Sequence, residues 1–123
     1  MLSEMSGSFK CRKNEKERFI YMEGTELVAF NIIASVGTAR SSYIAAIDEA
    51  AAGNYEEAEK LIKEGQEAFN GGHEAHQELL VKMANGETVT MTLLLTHAED
   101  QLMSAESFGI LAEKFLALYK KLG

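Results

Sequence analysis

The chain has 123 residues, no proline, no tryptophan, one cysteine and a formal net charge of −7. This length fits one domain with a modest core, and no apolar run approaches the roughly 20 residues needed to cross a bilayer. Residues 1–21 carry five basic and three acidic side chains, so the remainder holds an excess of nine acidic charges; that balance argues against nucleic acid, whose binding is dominated by phosphate neutralisation.

Residues 1–21 are rich in Ser, Lys and Arg, with Gly and Asn among them, and show no sustained hydrophobic period. They read as an N-terminal extension, disordered or loosely attached, ahead of a domain over 22–123. Met22 is an alternative start, because helical pattern begins just after it. The N-terminus lacks the apolar core of a signal peptide, and Cys11 by itself makes neither an internal disulfide nor a metal cluster. Both features point to a reducing cytoplasm.

A first helix is expected over about 25–52, with Thr25 as N-cap and Leu27, Phe30, Ile33, Val36, Ala39, Tyr43 and Ile47 as its apolar stripe. Gly53 suits the left-handed position after the helix, and Asn54 with Glu57 resembles a capping box. A second helix over about 55–83 buries Tyr55, Ala58, Leu61, Ile62, Ala68, Phe69, Leu79, Leu80 and Met83. Gly65, Gly71 and Gly72 interrupt it, which predicts a kink or a close helix contact near Gly71-Gly72. Asn85-Gly86 closes that helix, and Thr88 can cap a third over about 89–121. Short turns force neighbouring helices to run antiparallel. The fold class is therefore all-α, an antiparallel three-helix bundle. In the third helix, Met91-Thr92-Leu93-Leu94-Leu95-Thr96 points apolar groups around the whole axis, which predicts self-association.

Leu93, His97, Asp100, Gln101, Ser104, Phe108, Leu111 and Phe115 share one broad face of the third helix at 100° per residue. His97, Asp100, Gln101 and Ser104 are neighbours at i, i+3, i+4 and i+7. Imidazole titrates near neutrality, binds metals and, when neutral, is a nucleophile. A phosphoryl carrier needs one free ring nitrogen and donors nearby, which Gln101 and Ser104 can supply. The same spacing also suits a histidine satisfied by Asp100 and serving only packing. His73 and His76, at i, i+3, supply only two of the three or four ligands a metal site uses; polar surface or an oligomer contact is the simpler role.

Three segments carry a resemblance: Phe30-Asn31-Ile32-Ile33 through Gly37-Thr38-Ala39-Arg40, then Gly53-Asn54-Tyr55-Glu56-Glu57-Ala58, then Leu93-Leu94-Leu95-Thr96-His97-Ala98-Glu99-Asp100-Gln101-Leu102-Met103. Over about residues 23–121 the chain resembles the lactose/cellobiose-specific IIA family of the bacterial sugar phosphotransferase system. The resemblance implies a trimer of three-helix subunits that accepts phosphate from HPr. It implies transfer of that phosphate to a cysteine of the IIB component, and from there to a disaccharide entering through the membrane component IIC. It places His97 on the phosphorylated histidine and Gln101 beside the phosphoryl site. It places Asp100 on the aspartate that, once from each subunit, surrounds a divalent metal on the threefold axis, with Mg2+ expected. Cys11 lacks the phosphate-cradling context of a IIB cysteine, so IIB is expected to be a separate chain.

Overall fold

The computed structural model describes residues 24–123. They form three helices, α1 (Thr25–Ala51), α2 (Tyr55–Ala84) and α3 (Leu93–Leu122), with no strand among the described residues. The expected N-terminal extension, with Cys11 and Met22, lies outside them. The link of residues 52–54 turns α2 back along α1, and α3 returns parallel to α1. This is the all-α three-helix bundle expected from the sequence.

Both links begin with the same glycine-dependent stop. Gly53 N–H donates to Ala50 O and Asn54 N–H to Glu49 O; one helix later Gly86 donates to Met83 O and Glu87 to Lys82 O. These pairs are the two bonds of a Schellman motif, which needs a left-handed residue just past the helix. Gly53 and Gly86 supply it, with φ of 85° and 83°.

The helix starts differ from expectation. Gly24 stands at the N-cap position of α1 and Thr25 is already helical. Asn54 makes no cap with its side chain; its Nδ2 donates instead to Glu49 Oε2 at 2.8 Å, which ties it to the preceding helix. α3 begins at Leu93 rather than near residue 89, because Thr92 and not Thr88 accepts the N-terminal bond, from Leu95 N–H at 3.1 Å. Val89 packs on the core, and the segment before Thr92 is not helical, with Thr92 N–H donating back to Thr90 O at 3.1 Å.

The core is built largely from alanine. One cluster joins Ala29, Ile32 and Val36 to Ala75, Leu79, Leu95, Ala98, Leu102 and Ala105. The other joins Ala39, Tyr43, Ala46 and Ala50 to Ala58, Ile62, Ala112 and Leu116. Small groups let the helices approach closely, so the largest side chains are displaced to the flanks. On α1 the first half of the expected stripe is rotated: Ala29 and Ile32 are buried, whereas Phe30 is 44% exposed. Leu80 and Met83, expected in the core, are exposed at the end of α2. α2 runs unbroken through its glycines. The close contact expected near Gly71-Gly72 is present, since a Cβ on Gly72 would stand 2.8 Å from Val36 Cγ1.

Candidate phosphoryl site

α3 turns one face into the bundle and a different one out of it. Leu95, Ala98, Leu102, Ala105, Ala112 and Leu116 are buried. On the outer side, Leu93 is 88% exposed, and Leu111, Phe115 and Leu118 are exposed with it. His97 and Asp100 stand on this outer face, both exposed, while Gln101 and Ser104 on its edge are half-buried. The structure thus brings all four expected site residues to one side of α3, over two turns. None of the four belongs to a core cluster of the described residues.

Neither His97 nor Asp100 has a hydrogen-bond or ion-pair partner among the described residues. Packing against Asp100, the alternative reading of His97, is therefore not what the chain does. Both imidazole nitrogens are left for an incoming group. His97 sits in the second turn of α3, and helical side chains lean toward the N-terminus. A side chain at this position is directed toward the first turn, where the N-terminal N–H groups and the helix dipole favour negative charge. The first turns of α1 and α2 carry Glu26 and Glu56 with Glu57, whereas the first turn of α3 has no acidic residue. The positive end of α3 is left uncompensated beside the one exposed, unpartnered histidine.

The other two histidines are occupied. His76 Nδ1–H donates to the Glu99 carboxylate, 2.6 Å from Oε2 and 2.8 Å from Oε1, and both side chains are about three-quarters buried. His73 stacks on Phe69 with centroids 5.9 Å apart, and its Nε2 lies 3.3 Å from Gln77 Nε2. The His76–Glu99 pair was invisible to a motif search, since its halves lie on different helices. The antiparallel register of α2 and α3 is the signal that places them together. A further cation, Arg40, lies on α1 beside the outer face of α3, with its guanidinium 5.0 Å from the centre of the Phe108 ring. Its Nε is buried without an acceptor.

Among the described residues no group of three or more His, Cys, Asp or Glu side chains converges to hold a metal. Asp100 supplies an exposed, unpartnered oxygen donor, one carboxylate per chain. That donor set fits an oxygen-loving ion only where several copies share it. No helix among the described residues is long and apolar enough to cross a membrane.

Residues 27–120 match the family described as "PTS system, Lactose/Cellobiose specific IIA subunit". The lichenan-specific phosphotransferase enzyme IIA component of Bacillus subtilis (strain 168) is 38% identical over 100 residues, covering 81% of this chain and 91% of the relative. The cellobiose-specific enzyme IIA of Bacillus anthracis superposes with a TM-score of 0.80 at 37% identity, covering 84% of this chain and 94% of that one. The IIA(Chitobiose)–HPr complex of the N,N'-diacetylchitobiose branch of the Escherichia coli phosphotransferase system contains a chain with a TM-score of 0.64 at 28% identity, covering 82% and 98%. With a matched segment that spans all three helices, the chain belongs to the lactose/cellobiose-specific IIA family of the sugar phosphotransferase system.

Proposed function

We propose that this chain is a phosphocarrier that accepts a phosphoryl group from phospho-HPr on His97 and passes it to the cysteine of a separate IIB chain. The observation that carries the reading is the state of His97: exposed, unpartnered, and one residue past the acid-free first turn of α3. A ring nitrogen lone pair attacks phosphorus, and the bond to the donor's leaving group breaks with the electron pair going to the donor. The second transfer repeats the exchange, with His97 as the leaving group and the thiolate as the nucleophile. HPr as donor is supported by the IIA(Chitobiose)–HPr complex, whose IIA chain this one resembles. Gln101, one turn from His97, is positioned to donate to the phosphoryl oxygens. The transported sugar, through the membrane component IIC, is a lactose/cellobiose-type disaccharide, and the carrier works in the cytoplasm.

The working form is a homotrimer. Leu93, Leu111, Phe115 and Leu118 are all exposed along the outer face of α3, and apolar groups gathered on one face mark an interaction surface. A second and third copy would cover it and bring three Asp100 carboxylates together around one divalent cation, Mg2+ by ligand hardness. The ion's part is to hold the trimer, not to take part in phosphoryl transfer. Incubation with HPr and a phosphate donor tests the carrier reading. Acid-labile, base-stable phosphate on His97 is the expected product; a chain that stays unphosphorylated is a helical scaffold instead.

A further inference from the structure

The polar side-chain links between α2 and α3 are unevenly placed. Tyr55 Oη donates to Tyr119 O at 3.0 Å, Lys120 pairs with Glu59, and Gln66 Nε2 donates to Glu113 Oε1 at 2.8 Å. All three lie in the half of the bundle remote from His97. In the half that carries His97, the one such link among the described residues is His76–Glu99. Glu99 shares the second turn of α3 with His97, two residues on and on the opposite side of the helix.

We propose that His76 and Glu99 are a positioning pair for the phosphoryl site, fixing the rotation of α3 about its own axis where His97 projects. The proposal rests on the phosphocarrier reading of His97. In this half α3 meets α1 and α2 through Leu95, Ala98, Leu102 and Ala105. The two alanines allow close approach and offer no knob, so rolling is resisted there by Leu95 and Leu102 alone among the buried side chains of α3. In the other half Tyr43 performs that task, seated against Gly109. With side chains a helix is about 10–12 Å across, so a roll of about 10° moves a ring at its surface by about 1 Å. Errors of that size cost up to about 100-fold in reactions that depend on alignment. A three-quarters-buried carboxylate held by an imidazole from the neighbouring helix stops that roll, and neither group touches the phosphoryl.

The test uses the full chain with phospho-HPr and separates kcat from KM. His76→Leu and Glu99→Leu should each lower kcat about ten-fold with KM little changed. The double variant should be no worse than either single one, because both remove the same link. His76→Gln, which keeps a donor toward Glu99, should recover part of the rate, and the His97 ring resonances should shift in the leucine variants alone. Gln66→Leu cuts a remote α2–α3 link and should leave kcat unchanged even where it lowers thermal stability. Wild-type kcat in the leucine variants, additive losses in the double variant, or an equal loss in Gln66→Leu would overturn the pair's role. A wild-type protein that takes no phosphate on His97 overturns the phosphocarrier reading itself.

Discussion

Tyr43 of α1 lies so close to Gly65 of α2 that a Cβ on the glycine would stand 2.6 Å from the ring's Cε1. Gly109 of α3 faces the same ring from the other side, where a Cβ would stand 2.9 Å from Cζ. The ring is clamped between two helices and cannot move aside. Gly65→Ala gains about 1 kcal/mol in helix propensity, but overpacking a buried ring costs about 1–3 kcal/mol. The expected result is a net loss of about 1 kcal/mol in denaturant unfolding. A more stable Gly65→Ala protein would show that the ring has room.

The same clamp predicts an alkaline signature. Burial, and then the charge of Glu113, raise the Tyr43 phenol above its ordinary value of 10.0. A group raised on folding contributes stability that is fully present below its unfolded pKa and is lost as pH rises through the folded one. The thermal midpoint should therefore fall above about pH 10, and fall less steeply in Tyr43→Phe. Parallel pH profiles for the two proteins would remove Tyr43 from the alkaline transition.

His97→Ala should abolish phosphoryl acceptance and leave the fold intact. The side chain is exposed and unpartnered, so its removal should change stability by no more than about 0.5 kcal/mol. His73→Ala should keep acceptance, since that ring is stacked on Phe69 away from the outer face of α3. Digestion and mass spectrometry of the phosphorylated chain check both statements. Phosphate on His73 or His76, or acceptance persisting in His97→Ala, would reassign the site.

Much of this was legible along the chain because it depends on local chemistry. Gly53 and Gly86 mark helix ends through a backbone conformation that other residues rarely adopt. His97, Asp100, Gln101 and Ser104 share one side of α3 through the helical period alone. What could not be read is set between helices. Periodicity gave α1 a stripe of large residues through Phe30 and Ile33, whereas the bundle selects Ala29 and Ile32 because glycines on α2 draw the helices together. Three threonines precede α3, and Thr92 caps it while Val89, between the other two, packs on the core. His76 and Glu99 meet through the register of two antiparallel helices, which no single window contains.

Asp100 carries the last prediction. It is exposed beside the apolar strip of Leu93, Leu111 and Leu118, with no cation paired to it among the described residues. If three copies meet on a threefold axis, three carboxylates at close range in a low-dielectric setting repel one another strongly. A divalent cation offsets that repulsion, and hard oxygen ligands favour magnesium or calcium-like ions over soft metals. Removing the ion while keeping the carboxylates should therefore loosen the trimer, most at high pH and low salt, where the charges are full and least screened. Asp100→Leu removes both the repulsion and the ligands, so its trimer should no longer respond to chelator, since buried ionic clusters can be replaced by apolar groups. Asp100→Ala should assemble less well than Asp100→Leu, because it loses the ligands and leaves a void on the axis as well. Each subunit should remain helical in both variants, as Asp100 contributes nothing to the bundle's own core. Sedimentation with and without chelator, alongside circular dichroism, reads all of these outcomes. A wild-type chain that stays trimeric in chelator and carries no tightly bound ion would take Asp100 out of the metal role.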